Sequence, residues 1–134
     1  MTMPTLDFPP FRLPPDAEEL RTEVRAFLKG ILPSLSAGER FKSWNSRSPE
    51  FSKAMGAKGW IGITWPKKYG GAEKSFLHRY VITEELLANG APAGSHWVAD
   101  RQSGPNILRY GSEEMKDAIL PRIVKGECFF AIGM

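Results

Sequence analysis

The amino-acid sequence predicts a mainly α-helical fold, an irregular bundle of about five helices that is followed by one β-strand. Two observations predict the helices. Apolar residues recur at helical spacing in several segments, and residues typical of helix starts and ends separate those segments. A third observation predicts the strand, because residues 127–134 contain small, aromatic and β-branched apolar residues with no turn after them, namely Cys128, Phe129, Phe130 and Ile132.

The first 15 residues are rich in proline and are predicted to form an extended arm. Between the prolines lie Leu6, Phe8, Phe11 and Leu13, whose apolar side chains can lie against a partner surface. A disordered leader is the alternative interpretation of the same residues.

The first helix is predicted to begin at Asp16. Aspartate is a typical N-cap residue, and Glu19 stands three positions later, as in a capping box. Gly30 and Pro33 are predicted to end this helix. Its core-facing stripe would consist of Leu20, Val24, Phe27, Leu28 and Ile31.

A second helix is predicted to start at Ser48 and Pro49, since serine caps helices and proline is favoured in their first turn. The preceding residues 34–47 are predicted to add a short helical turn around Phe41 and Trp44. After the second helix, residues 59–71 read GWIGITWPKKYGG. Their glycines and proline predict an ordered loop, which would be pinned by Trp60, Trp65 and Tyr69.

Residues 75–89 form the strongest predicted helix. It is apolar around most of its circumference, which predicts burial on several sides and a central position. A further helix is predicted over residues 93–103, interrupted at Gly104 and Pro105 and resumed up to Gly111.

The last predicted helix is capped by Ser112, bent or shortened by Pro121 and ended by Gly126. Its inner stripe would consist of Met115, Ile119 and Ile123. The sequence thus divides into an arm (residues 1–15), a helical domain (16–126) and a strand (127–134). Because an apolar strand needs neighbouring strands, we expect this chain to be one part of a larger protein.

Composition and charge exclude several classes of protein. The net charge of +3 is small and scattered, so nucleic acid is not an expected partner. No apolar stretch is long enough to span a membrane and no secretion signal is visible, which predicts a cytoplasmic protein. Cys128 is the only cysteine, so neither a disulfide framework nor a cysteine metal cluster is expected.

A search for self-contained catalytic residues finds none. The sequence lacks the glycine patterns that bind dinucleotides and phosphates. His78 and His96 have no neighbours at metal-ligand spacing, so each is interpreted as a surface or hydrogen-bonded histidine and no metal is expected. Glu84 and Glu85 point in different directions on a helix and are not expected to act as a pair. Asp100 and Arg101 are interpreted as helix charges, although Arg101 could bind an anion.

Three segments together carry a resemblance to a known family. They are GWIGITWPKKYGG, then TEELLANGAP at the end of a long helix, then LRYGSEEMKDAILPRIVKGECFFAIGM. In order and spacing they resemble the amino-terminal half of the flavin-dependent acyl-CoA dehydrogenases, over residues 17–134. The resemblance implies an amino-terminal helical domain, and a final strand that belongs to a β-barrel this sequence does not contain.

The resemblance also implies a chemistry, α,β-dehydrogenation of an acyl-CoA thioester with FAD as cofactor. In that family the general base is a glutamate of the carboxy-terminal domain, so no catalytic residue is expected here. Ile132, Gly133 and Met134 would approach the flavin, partly through backbone groups. Ser95, Val98 and Gln102 would face the acyl chain, although packing between helices is the alternative role for these three.

Residues 95–105, SHWVADRQSGP, are bulkier and more polar than the pocket helix of typical straight-chain enzymes. They resemble the branch of the family that acts on steroid side chains and other bulky acyl groups, in which some enzymes combine two different subunits. The implied partners are an acyl-CoA, further dehydrogenase subunits of the same or another kind, and electron-transfer flavoprotein.

The 134 residues alone are expected to bind no FAD and to be inactive. The alternative function is a non-catalytic helical module that docks a full-length dehydrogenase.

Overall fold

A computed structural model describes residues 9–133 of the chain. Most of these residues are helical and none of them forms a β-strand, so the predicted mainly α-helical class is confirmed. No helix in the described part is long and apolar enough to cross a membrane. The α-helices are α1 (Pro15–Ile31), α2 (Ala37–Lys42), α3 (Pro49–Ala57), α4 (Phe76–Ala88), α5 (Gly94–Val98), α6 (Gly104–Tyr110) and α7 (Glu113–Val124).

The core lies between α1 and α4 and is closed by the loop that precedes α4. The inner face of α1 buries Leu20, Val24 and Leu28, which confirms most of the predicted stripe. From the loop, the side chains of Trp60, Trp65 and Tyr69 are buried, as predicted. Burial of apolar side chains from helices and loop in one cluster therefore fixes the loop conformation without regular secondary structure over most of its length.

Two of the predicted helix starts are confirmed and one is wrong. Ser48 and Ser112 each accept a hydrogen bond from the backbone N–H three residues later, at 3.2 Å, and so cap α3 and α7. Helix α1, however, begins at Pro15, with Pro14 in the capping position, and Asp16 is not its N-cap. Proline at the first position has the helical φ and needs no hydrogen bond for its nitrogen, so α1 starts without a side-chain cap.

Two predicted apolar faces are less buried than expected. On α4, Phe76, Tyr80 and Leu87 are exposed, because α4 packs mainly against α1 and leaves its far side open within the described residues. On α7, Met115 is exposed, and the buried face consists of Leu120, Ile123 and Val124. Apolar character alone therefore did not identify the buried side of either helix.

The predicted break at Gly104 and Pro105 is wrong. Residues Ala99–Ser103 form a π-helical turn that joins α5 directly to α6. The N–H of Gly104 donates to the carbonyl of Ala99, five residues earlier. Because Pro105 has no N–H to donate, a widened turn at this point loses fewer hydrogen bonds than it would elsewhere in a helix.

Gly126 directs the chain away from α7 and towards α3. Its φ is +69°, in the left-handed region, and a Cβ at this position would collide with the backbone carbonyl of Ser52. Residues 127–133 then run without helix or strand. Phe130 packs against the core whereas Phe129 and Ile132 are exposed. The predicted strand and the three-part division of the chain stay predictions, and residues 1–8 of the arm lie outside the described residues.

Candidate functional site

A cavity lies where residues 127–133 pass the beginnings of α3 and α5. Its volume is about 320 Å³. The side chains of two phenylalanines and a proline make much of its wall apolar, and an arginine and a serine make part of it polar. The lining residues are Arg47, Pro49, Gly94, Ser95, Phe129, Phe130 and Ala131.

Ser95 is the predicted acyl-contacting residue that lies in this cavity. Ser95 is buried, with 5% of the residue exposed. Its hydroxyl forms no hydrogen bond with the rest of the described chain, and it is not sealed away from the cavity. The hydroxyl of Ser95 is therefore available to a bound group.

The backbone beside Ser95 is fixed by a close approach. The N–H of Gly94 donates to the carbonyl of Ser46 at 2.9 Å. A Cβ at Gly94 would lie 2.6 Å from that carbonyl oxygen, so a larger residue would push the two segments apart. This contact holds the start of α5 against the segment that leads into α3, and it places Ser95 and Arg47 on the same cavity.

The other two predicted acyl-contacting residues are placed differently. Val98 is half-buried and Gln102 is exposed, and neither lines the cavity that contains Ser95. Val98 ends α5 and Gln102 lies within the π-helical turn. The structure thus brings one of the three residues into the cavity and leaves the other two further along the same helical segment.

The predicted flavin-contacting residues directly follow the cavity wall. Ile132 is 55% exposed, and a Cβ at Gly133 would meet no atom within 4 Å. Within the described chain, no backbone hydrogen bond involves residues 128–133. These unpaired N–H and C=O groups fit a cofactor that is contacted through the backbone. Met134 lies outside the described residues.

Buried polar pairs hold the helix behind the cavity. Nδ1 of His96 and Oγ of Ser52 on α3 are 2.8 Å apart. Burial, with a smaller effect from the charge of Arg101, lowers the pKa of His96 to about 4. His96 is therefore neutral near pH 7 and joins α5 to α3 by a neutral hydrogen bond.

Asp100 joins the π-helical turn to the tryptophan-rich loop. Its Oδ1 accepts a hydrogen bond from the N–H of Gly62 at 2.8 Å, and its Oδ2 accepts one from Nε of Arg101 at 2.9 Å. Burial raises the pKa of Asp100, and Arg101 and the Gly62 N–H oppose that rise. Arg101 also donates to Thr83 and stacks on Trp97, 5.0 Å from the ring centre. Its Nε and Nη2 are thus engaged by Asp100 and Thr83, and the Asp100 carboxylate pairs with its charge, which disfavours the anion-binding role.

The three other titratable residues considered in the sequence, His78, Glu84 and Glu85, have structural roles. His78 is buried rather than on the surface, with its Nδ1 2.8 Å from Oγ of Ser75. Glu84 and Glu85 both accept hydrogen bonds from Arg21 of α1, and so join helices instead of forming an acid–base pair. Among residues 9–133 there is no group of three or more His, Cys, Asp and Glu side chains arranged to hold a metal ion.

Sequence reasoning missed two features of the site, the cavity position of Arg47 and the hydrogen bond from Ser52 to His96. The Ser48 cap could have indicated the first, because it fixes the start of α3 and hence the neighbouring residues. Nothing in the local sequence indicated that Ser52 would be fully buried opposite His96.

Comparison with known proteins identifies the family. Residues 14–127 match the family model described as "Acyl-CoA dehydrogenase, N-terminal domain". Acyl-CoA dehydrogenase FadE26 of Mycobacterium tuberculosis is 33% identical over 128 residues, which cover 89% of this chain and 30% of that protein. The chain therefore belongs to the acyl-CoA dehydrogenase family. This family uses FAD.

Solved structures agree with this assignment. The structure titled "Tcur3481-Tcur3483 steroid ACAD" superimposes with a TM-score of 0.77 at 37% identity, covering 91% of this chain and 32% of that one. The ChsE4–ChsE5 complex from Mycobacterium tuberculosis gives a TM-score of 0.69 at 32% identity, covering 88% of this chain and 30% of that one. The chain spans about a third of the length of the relatives it matches.

Proposed function

We propose that this chain is the amino-terminal helical part of an FAD-dependent acyl-CoA dehydrogenase, in which it forms one wall of the acyl pocket and the edge of the flavin site. The reaction is α,β-dehydrogenation of an acyl-CoA. One observation carries the proposal: the unpartnered hydroxyl of Ser95 and the residues that precede Ile132 and Gly133 line one cavity. A cavity at this place would put an acyl chain beside the predicted flavin-contacting residues.

The residues of this chain would bind and orient, and the proton-abstracting base would come from outside it. Phe129 and Phe130 offer apolar surface to a hydrocarbon chain and keep water from it. The backbone at Ile132 and Gly133 offers hydrogen-bonding groups to the cofactor. A bound FAD would supply the hydride acceptor for the β-hydrogen of the acyl group. Val98 and Gln102 are proposed to face a longer or bulkier acyl group further along the helix.

A steroid or other bulky acyl group is the substrate we propose, and assembly with a second dehydrogenase subunit is the proposed quaternary arrangement. The similarity to a structure titled as a steroid dehydrogenase supports the first, and the similarity to the ChsE4–ChsE5 complex supports the second. The exposed Phe129 and Ile132 also favour a covering partner. If the chain docks a dehydrogenase without contributing to its pocket, it is instead the non-catalytic module.

Anaerobic reduction of the flavin tests the proposal. The protein that contains this chain is purified with its natural partners, and the flavin absorbance is followed as straight-chain and steroid acyl-CoA thioesters are added. We expect the flavin band to bleach. Ser95→Trp should fill the cavity and lower kcat/KM at least about tenfold, because the acyl group can no longer reach its bound position.

The matched control is Asn106→Trp, which places the same large side chain at an exposed position of α6. This variant should keep kcat/KM within about twofold. Bleaching that is equally fast in the Ser95→Trp protein would support the non-catalytic module. A preparation without flavin, or without any response to acyl-CoA, would contradict the proposed function altogether.

A further inference from the structure

The wall of the cavity beside Ser95 includes an arginine, Arg47, whose positive charge the proposed acyl-binding role does not explain. Arg47 is an exposed residue that contributes to the cavity wall, and its guanidinium forms no ion pair with any carboxylate of residues 9–133. Water can hydrogen-bond the exposed guanidinium, so a ligand that displaces this water has to supply an acceptor in its place, which a simple hydrocarbon lacks. The position of Arg47 therefore points to a polar group on the ligand.

The backbone on both sides of Arg47 is held in place. On one side, the carbonyl of Ser46 accepts the hydrogen bond from Gly94 at 2.9 Å. On the other side, the hydroxyl of Ser48 caps α3 by accepting from the N–H of Phe51 at 3.2 Å. Both Ser46 and Ser48 are buried. Arg47 thus starts from a fixed backbone position next to the cavity, which lowers the entropy lost when its side chain binds a ligand.

A second polar group faces the same space. Ser95 is buried, with 5% of the residue exposed, and its hydroxyl has no partner in the described chain. This hydroxyl is open to the cavity, so a ligand that displaces water from it loses free energy unless it offers a hydrogen bond in return. A guanidinium and a hydroxyl share one preference, which is an oxygen acceptor such as a carbonyl or carboxylate. The aromatic wall of Phe129 and Phe130 suits an apolar skeleton between them.

We infer that Arg47, together with Ser95, selects acyl groups that carry an oxygen acceptor, a ketone or a carboxylate, on an otherwise apolar skeleton. The inference rests on the proposed function, since it assumes that the cavity takes the acyl group. Arg47 is then a specificity-determining residue and takes no part in bond breaking. Its role is to favour an oxygenated acyl group over a plain hydrocarbon of equal length.

Three substrates of equal chain length test the inference on the purified dehydrogenase that contains this chain: octanoyl-CoA, 7-oxooctanoyl-CoA and the mono-CoA thioester of octanedioic acid. The wild-type protein should show a kcat/KM about tenfold higher for at least one oxygenated substrate than for octanoyl-CoA. A preference for the diacid thioester identifies a carboxylate as the group bound. A preference for the oxo substrate alone identifies a ketone.

Variants assign the preference to Arg47. Arg47→Met should bring the ratio of kcat/KM values close to one, and Arg47→Lys, which keeps the charge, should retain part of a preference for the carboxylate. Arg122→Met removes an exposed arginine of α7 and should leave the ratio unchanged. Flavin content shows that each variant is folded, and Arg47→Lys tests the assignment even if Arg47→Met does not fold.

The experiment distinguishes a failure of the proposed function from a failure of the inference about Arg47 alone. If neither these three substrates nor a steroid acyl-CoA is dehydrogenated by the wild-type protein, the proposed function is wrong and the inference with it. If only the steroid acyl-CoA reacts, an oxygen on a straight chain is not selected and the inference alone is wrong. If all three substrates react equally well, or octanoyl-CoA reacts best, the inference alone is wrong. An equal loss with every substrate in Arg47→Met would also overturn it, because Arg47 would then contact the CoA portion that all three share.

Discussion

Two carboxylates lie inside the helical bundle and are held in different ways. Glu85 on α4 and Asp100 in the π-helical turn are almost equally buried, with 4% and 5% of each residue exposed. Glu85 accepts hydrogen bonds from Arg21 and Arg25 of α1, at 2.7 and 2.9 Å. Asp100 has one guanidinium, that of Arg101, and a backbone N–H from the loop.

The pKa values of the two carboxyl groups move in opposite directions. The hydrogen bond from Arg25, helped by that from Arg21, outweighs burial and lowers the pKa of Glu85. For Asp100 burial outweighs its partners and raises the pKa. Arg25 is 64% exposed and opens the Glu85 site to water, whereas the Arg101 side chain is only 20% exposed. The charged residues between α1 and α4 are thus open to water. Asp100 and Arg101, behind the cavity, are largely shielded from it.

The largest effect is expected from Asp100→Ala. The substitution leaves Arg101 buried without a charged partner and the N–H of Gly62 without an acceptor, so unfolding should become easier by about 3–5 kcal/mol. Urea unfolding followed by tryptophan fluorescence measures this, since Trp60 and Trp65 flank Gly62 and are buried.

Two variants sharpen that result. Asp100→Asn keeps an oxygen that can accept from Gly62 and should cost less than Asp100→Ala. Asp117→Ala removes an exposed carboxylate of α7 and should change the free energy of unfolding by less than about 0.5 kcal/mol. Equal losses in Asp100→Ala and Asp117→Ala would contradict the anchoring role of Asp100.

The second prediction concerns how the free energy of unfolding depends on pH through the buried His96. Burial lowers the pKa of His96 from 6.5 to about 4, so its unfolded form binds a proton at a higher pH than its folded form. The stabilisation is fully present above pH 6.5 and is lost as the pH falls towards 4, by up to about 3 kcal/mol. Unfolding curves measured between these pH values should show the decline.

His96→Gln is the comparison for the pH series. It removes the titrating group and should flatten the dependence between pH 6.5 and 4, although it also weakens the contact with Ser52. Asp100 acts in the opposite sense, because a raised pKa makes its ionised form unfavourable in the folded state as the pH rises. An unchanged slope in His96→Gln would assign the decline to other groups.

The smallest change in the free energy of unfolding is expected at Glu85, in the water-exposed charge network between α1 and α4. Glu85→Gln keeps the shape of the side chain but removes the charge between Arg21 and Arg25, and should lower the free energy of unfolding by about 1–2 kcal/mol. The loss should shrink at high salt because the network faces water. Glu84→Gln changes a more exposed carboxylate and should have a smaller effect. A loss at Glu85 as large as that at Asp100 would remove the distinction between the two sites.

Helix ends could be predicted where the hydrogen bonds that form them join residues close together in sequence. Ser48 and Ser112 cap helices because the hydrogen bonds involved join residues three positions apart. The prediction of Asp16 as an N-cap was wrong for a reason that is also local, since Pro15, one position earlier, is already a good first helical residue. The order and spacing of three weak motifs predicted the family, and the family match confirmed it.

Features that depend on distant packing could not be predicted in this way. The exposed side of α4 follows from where α1 lies, which the apolar residues of α4 do not encode by themselves. The hydrogen bond that joins the π-helical turn to the tryptophan-rich loop links Asp100 to Gly62, 38 residues away in sequence. The same holds for the site, because Arg47 and Ser95 become neighbours through the close approach of Gly94 to Ser46.

We propose that the Ser95 cavity receives the acyl chain while residues 132 and 133 contact the flavin. A structure of the complete dehydrogenase with FAD and a bound acyl-CoA tests it most directly. We expect acyl carbons within about 4 Å of Ser95 and Phe130, and a backbone group of Ile132 or Gly133 within hydrogen-bond distance of the flavin. An acyl chain bound elsewhere, with the Ser95 cavity filled by side chains of another domain, would contradict it.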